Sequence, residues 1–184
     1  MVADAAVDTV LPFVLAVGVP LLVALFYFEG VIVGKLLQPT AVFVAYIAIV
    51  RPMGVVLVAI TVVCTLAATV GQWTLYRGFD DDAPEFFGLR RRVPALARFP
   101  EQIEKRVGKR RLRVVDRAFE RYGGVGIVIC NLVPGIRGLS AIPAGLSDYP
   151  RSRFLVASTV GNVGHLALLV AVAFGVLELA TLIR

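Results

Sequence analysis

The chain has 184 residues, of which 58% are hydrophobic, and its mean hydropathy is +0.83. Soluble domains are close to half apolar, so this excess favours a membrane protein. The net charge is +6, and 13 of the 19 Lys and Arg residues lie between Arg77 and Arg121. The long uncharged stretches on either side exclude a soluble core. They predict an all-α polytopic membrane protein.

Cysteine and histidine usage gives no sign of a metal site or a disulfide framework. Cys64 and Cys130 both lie in apolar stretches, and His165 is the sole histidine. We expect all three to be packed residues rather than ligands. Because no Ser/His/Asp set has a recognisable spacing, we expect no catalytic residue, no metal, no cofactor and no enzymatic activity.

The first apolar stretches differ in kind. Residues 9–28 are long enough to cross a hydrocarbon core of about 30 Å as one helix. Residues 29–50 are interrupted between Lys35 and Pro39, and each half is shorter than the roughly 17 residues that a spanning helix needs. We predict a re-entrant hairpin over 29–50, which turns near Lys35–Pro39 and leaves the membrane on the side where it entered. Residues 53–76 are uncharged and predict a second transmembrane helix.

The polar middle of the chain, residues 77–121, predicts a basic amphipathic region. Its arginines recur at three- and four-residue spacing, which places on one helical face Arg106, Arg110, Arg113, Arg117 and Arg121. We expect this face to lie on a membrane surface against anionic lipid head groups; a solvated loop is the alternative. The positive-inside rule makes the region cytoplasmic in a multi-pass protein of the cell membrane. Nucleic acid is not an expected partner, because both ends are tethered to the membrane.

The second half of the chain repeats the pattern of the first. Residues 123–147 are apolar but broken, and we assign turn positions to Pro39 in the first hairpin and to Pro134, Gly135, Pro143 and Gly145 in this one. Residues 154–183 predict a last transmembrane helix. A broken segment followed by a full helix, found twice, predicts an inverted repeat of re-entrant helical hairpins with transmembrane and amphipathic helices around them.

Arg137 lies within the second broken segment and indicates a binding site. Irregular backbone at membrane depth survives only inside protein or beside water. A guanidinium that faces lipid costs at least about 2.5–3.5 kcal/mol. We therefore expect Arg137 to line a hydrated cavity and to bind an anion. A structural salt bridge without a ligand is the alternative.

Other polar residues in apolar stretches are candidates for the same cavity. Glu29 is expected to pair with Arg137, to pair with Lys35 or to carry a proton; an interfacial position at a helix end is the alternative. Asn131 is six residues from Arg137 and is expected to line the cavity. For Gln72 an amide contact between helices is favoured over a role in binding.

The stretch YGGVGIVICNLVPGIRGLSAIPAGLSDYPRSRFLVASTVGNVG resembles the signature region of the DedA family, also known as the VTT or SNARE-associated Golgi protein domain. Matching positions include Pro134, Arg137, Phe154 and Gly161, and Glu29 stands at an early glutamate of the family pattern. The resemblance implies two facing re-entrant hairpins. It also implies movement of anionic lipids or lipid phosphates, such as undecaprenyl phosphate or phospholipids, across the bilayer by a flippase or scramblase.

Departures from the family pattern bear on coupling. Asn131 stands where the pattern has an arginine, Gln72 where it has an aspartate, and Thr40 or Ala41 at a second acidic position. The loss of these charges favours passive lipid transport. A proton- or ion-coupled carrier of small solutes, with Glu29 as its titratable group, is the alternative. Membrane lipids are the expected partners, and the sequence is compatible with an oligomer.

Overall fold

The computed structural model describes residues 17–31, 39–52, 54–79, 109–147 and 149–182. They contain no strand, so the predicted all-α class is confirmed for this part of the chain. The described residues form seven helices: α1 (Val17–Gly30), α2 (Pro39–Val50), α3 (Val55–Phe79), α4 (Lys109–Tyr122), α5 (Gly124–Leu132), α6 (Ala141–Leu146) and α7 (Arg151–Leu182).

Two of these helices are long and apolar enough to cross a membrane. They are α3 and α7, the latter over Arg151–Leu179. The described parts of α1 and α2 are apolar but shorter. The spanning helix predicted over 9–28 begins outside the described residues, and its helix continues to Gly30. Glu29 is therefore in the last turn of α1, where the start of a hairpin was expected.

The chain divides into two compact units, which we describe separately. The first comprises Met1–Gly71 and Asn162–Arg184. Its core is apolar, with Phe26 and Phe43 in edge-to-face contact at 5.6 Å between ring centroids. Close van der Waals contact between such side chains stabilises the packing of these helices. The fully buried core side chains include Leu22, Phe26, Phe43, Ile47, Cys64 and Leu166.

Two contacts fix α3 within the first unit. A Cβ at Gly71 would overlap the backbone oxygen of Tyr27, so only a glycine lets α3 approach the end of α1 this closely. Asn162 on α7 donates a 2.9 Å hydrogen bond from Nδ2 to the hydroxyl of Thr69. An amide that bonds across two apolar helices stabilises their association by about 0.6–2 kcal/mol.

The second unit comprises Gln72–Gly161. Its α4 and α5 meet at Gly123, which has a φ of 54°, a conformation that glycine adopts without strain. Beyond this turn Gly126 lies against the backbone of Ala118, where a side chain would not fit. Val115 of α4 is fully buried, so one face of the helix packs inward.

Residues 124–147 form a closed hairpin within the second unit. The ring of Tyr149, just after α6, contacts Phe119 in the last turn of α4, with 5.4 Å between centroids. A Cβ at Gly124 would lie 2.7 Å from the hydroxyl of Tyr149. The two ends of the hairpin are therefore adjacent.

Helices α5 and α7 run in the same direction. The start of α5 lies near Ala157, since a Cβ at Gly124 would be 4.0 Å from its Cβ. The end of α5 lies near Gly161, where a Cβ would be 2.6 Å from the Cβ of Asn131. Because both helices run in the same direction, the chain between them must return to the side on which α5 begins. The hairpin makes this return.

Three of the assigned turn residues lie in helices. The irregular backbone of the second hairpin covers 133–140, whereas Pro143 and Gly145 belong to α6 and Pro39 begins α2. Proline at the first turn of a helix loses no hydrogen bond, because that N–H has no partner within the helix. Gly145 is needed for packing, since a Cβ there would lie 2.6 Å from the backbone oxygen of Tyr76.

We expect Gly71→Ala to destabilise the protein by about 1–3 kcal/mol, because the added methyl group collides with backbone that cannot move aside. Gly78→Ala in the same helix is the control, since a Cβ there meets nothing within 4 Å. Thermal unfolding of the detergent-solubilised protein, followed by tryptophan fluorescence, measures both. Equal midpoints for the two variants would contradict the close contact at Gly71.

Candidate anion site in the turn between α5 and α6

The turn at 133–140 is built on two glycines with left-handed backbone. Gly135 has a φ of 85° and Gly138 a φ of 79°, which other residues rarely adopt. Tight backbone hydrogen bonds connect Ile136 to Val133 at 3.4 Å and Leu139 to Ile136 at 3.2 Å. The glycines therefore allow the chain to reverse within a few residues.

The side chain of Asn131 holds this turn in place. Its Oδ1 accepts a 3.1 Å hydrogen bond from the backbone N–H of Gly138. Its amide also pairs reciprocally with Gln72 of α3: Gln72 Nε2 donates to Asn131 Oδ1 at 3.0 Å, and Asn131 Nδ2 donates to Gln72 Oε1 at 3.3 Å. Both side chains are buried. The amide pair thus connects a membrane-length helix to the residue that follows Arg137.

Arg137 is buried in the protein, with 6% of its surface exposed. The tip of the turn at Pro134 and Gly135 is exposed, so the backbone folds Arg137 inward from this tip. A buried guanidinium requires oxygen acceptors or an anion, because an uncompensated buried charge is strongly destabilising. A guanidinium is a planar, permanently charged group that can donate two parallel hydrogen bonds to a phosphate or a carboxylate.

Two serine hydroxyls in the same unit were not predicted. Ser140 ends the turn and Ser158 lies on α7, and both are almost completely buried. Within the described part of the chain, the Oγ atom of each has no hydrogen-bond partner. A buried hydroxyl without a partner is unfavourable by about 1–3 kcal/mol, and a polar ligand or water supplies the missing bond.

A periodic signal for the Ser158 hydroxyl is present in the sequence, whereas Ser140 lies in the turn and has no helical spacing. Buried polar residues recur on one face of each long helix at spacings of three or four, and these are Thr65, Thr69, Gln72 and Tyr76 on α3 and Ser158, Asn162 and His165 on α7. A search for charge finds Arg137 but overlooks such stripes. The helical period of small polar residues in an apolar helix would have identified them.

The other predicted site residues are placed as follows. Glu29 is half-buried in α1, Arg117 and Arg121 are exposed on α4, and Lys35 and Arg106 lie outside the described residues. Arg110 and Arg113 belong to α4, but their side chains are not among those described. The structure brings together Gln72, Asn131 and the backbone beside Arg137. The pairing of Glu29 and the membrane-surface role of the arginines stay predictions.

The turn combines charged, polar and neutral groups. Arg137 supplies a permanent charge, Ser140 a hydroxyl, and the amide pair neutral support. Among the residues that the structure describes, no group of three or more His, Cys, Asp or Glu could hold a metal ion.

Comparison with known proteins assigns the chain to a family. A family model described as the VTT domain matches residues 12–175, which confirms the resemblance found in the sequence. Neither a curated protein nor a solved structure gives a significant match.

We expect Asn131→Leu to be more destabilising than Gln72→Leu, because it removes the amide pair and also the acceptor for the Gly138 N–H. The double variant should show a coupling of about 1 kcal/mol between the two positions. Unfolding in mixed micelles measures the three free energies. Thr61→Val is the control, since that hydroxyl bonds only to its own helix, at Leu57. Strictly additive single effects would contradict the reciprocal pair.

Proposed function

This chain belongs to the VTT domain family, the membrane-associated DedA/SNARE-associated family, and from this premise we propose that it moves anionic lipids or lipid phosphates across the bilayer. The activity is that of a flippase or scramblase and involves no covalent change in the lipid. The observation that supports it best is Arg137, a buried cation on a glycine-shaped turn between two short helices.

The length of the hairpin supports a site at membrane depth. Helix α5 has nine residues and is about 13 Å long at 1.5 Å per residue. This is close to half of a hydrocarbon core of about 30 Å. A hairpin that enters the membrane at Gly124 would bring Arg137 near the midplane, where a lipid phosphate is hardest to accommodate. A guanidinium there lowers the barrier to moving the lipid phosphate across the bilayer, because it replaces part of the water that hydrates the phosphate.

The side chains that hold the turn are uncharged, which favours passive movement of lipid. Gln72 and Asn131 satisfy each other as amides, and neither takes up or releases a proton at physiological pH. A site without an acid in this position gives no direct coupling to a proton gradient. We therefore propose a scramblase-like exchange in the direction of the lipid gradient, in a protein of the cell membrane with α4 on the cytoplasmic side.

We expect Arg137→Ala to slow lipid movement at least about tenfold, because a hydrogen bond to a charged group contributes about 1.5–3 kcal/mol. The purified protein is reconstituted in liposomes that contain fluorescent phosphatidylglycerol, and dithionite quenching reports the lipid that reaches the outer leaflet.

The control for this experiment is Arg117→Ala, which removes an exposed arginine of α4. Arg137→Lys keeps the charge but not the two-pronged donor geometry and should show an intermediate rate. Size-exclusion profiles verify that all variants are folded. Wild-type vesicles that move lipid no faster than empty vesicles would refute the proposed function, and an unaltered rate in folded Arg137→Ala would refute the role of this residue.

A second candidate function is a proton-coupled carrier of small solutes. It is favoured by Glu29, a half-buried carboxyl group in the last turn of the apolar helix α1. Apolar surroundings disfavour the charged form of a carboxyl group, so such a group can take up and release a proton as a solute is transported.

For this candidate we expect solute uptake that is driven by a pH gradient and abolished by Glu29→Gln. The same vesicles, loaded with a pH-sensitive dye, measure proton entry on addition of solute. Lipid movement that proceeds at the wild-type rate in Glu29→Gln would favour the lipid transporter instead.

A further inference from the structure

A groove of about 490 Å³ lies on the second unit, between α5 and the first half of α7. Its walls are one face of each helix, with Val125 and Val128 on α5 and Val156 and Val160 on α7. Three of these valines are exposed by more than half of their surface, at Val125, Val156 and Val160. Neither Arg137 nor Asn131 lines it, so the groove is separate from the turn described above.

The groove changes from polar to apolar along its length. One end is lined by Tyr122, Tyr149, Ser152 and Arg153, and all of these except the half-buried Tyr149 are exposed. Because α5 and α7 run in the same direction, both walls continue from this polar end into valine. Gly124 lets Tyr149 pack closely at this end, since a side chain at position 124 would meet the Tyr149 hydroxyl.

The dimensions of the groove match one leaflet of a bilayer. From Ser152 to Val160, α7 rises about 12 Å, which is less than half of a core of about 30 Å. The polar end lies at the first turn of a helix long enough to span the membrane, where head groups, tyrosines and arginines meet. The valines follow in the direction in which an acyl chain extends.

We propose that this groove binds one anionic phospholipid. The phosphate contacts Arg153 and the hydroxyl of Ser152, and one acyl chain lies along Val125, Val156 and Val160. A second protein chain is disfavoured, because a cation at one end of an apolar channel complements a charged head group with a tail more closely than it complements an apolar helix face. Lipid held here does not depend on transport through the Arg137 turn.

Photocrosslinking tests the groove directly. The full-length protein is reconstituted with phosphatidylglycerol that carries a diazirine in its acyl chain, and adducts are mapped by mass spectrometry after irradiation. We expect the adducts to be enriched at the valines of the groove over Val172, an equally exposed valine elsewhere on α7. Arg153→Gln should lower adduct yield in the groove about fivefold, the loss expected for one interfacial cation, and Arg117→Gln should not.

A second variant tests the apolar part. Val156→Trp fills the groove and should abolish its adducts, whereas Val163→Trp, at an exposed valine that does not line the groove, should preserve them. Adducts spread evenly over the exposed valines, or an equal yield in Arg153→Gln and Arg117→Gln, would overturn the proposal. We expect Arg137→Ala to retain the groove adducts, because the groove is separate from the Arg137 turn. The adducts therefore test the groove even if this variant loses lipid movement.

Discussion

The hydrogen bonds of Asn131 determine the geometry of the candidate site. One oxygen of this side chain accepts from the turn at Gly138 and from Gln72 of α3, so a single buried amide positions the irregular backbone against a long apolar helix. Backbone N–H and C=O groups that leave a helix inside an apolar environment need such partners. We therefore expect loss of these bonds to loosen the turn around its two left-handed glycines.

The parallel course of α5 and α7 has consequences for both proposed sites. The hairpin returns the chain to the side on which α5 begins, so α7 can run in the same direction as α5. It also places the first halves of the two helices side by side with their polar ends together. The turn that holds Arg137 and the groove between α5 and α7 therefore depend on the same packing, which Gly124 and Gly161 allow by their lack of a side chain.

The broken segment at 123–147 could be predicted because a lipid environment rarely permits an interrupted or charged helix. Proline, glycine and arginine between apolar stretches conflict with an uninterrupted helix, and the structure has a turn at 133–140 where Pro134 and Gly135 were assigned to it. Pro143 and Gly145 were also assigned to the turn but lie in α6. Proline fits the first turn of a helix as well as it fits a loop, and glycine serves close packing as well as reversal, so residue type alone does not distinguish these uses.

The amide pair was beyond the reach of sequence reasoning. Gln72 and Asn131 are 59 positions apart, and their meeting depends on the helix rotation and register that only packing sets. Gln72 was expected as an amide contact between helices and Asn131 as a lining residue, but nothing in the pattern paired them. The buried hydroxyls carry no charge to mark them: Ser158 follows the helical spacing of Asn162 and His165, whereas Ser140 lies in the turn, where no such period applies.

The proposed lipid transport requires the hairpin to carry its turn into the bilayer rather than to lie on the surface. Nitroxide labels at Val125 and Val133, both exposed, measure this after replacement of the two native cysteines. Collision with oxygen and with a water-soluble nickel complex gives the depth and hydration of each label. We expect the label at 133 to lie about 12 Å deeper than the label at 125 and yet to remain accessible to nickel. Equal depths at the head groups would contradict the account.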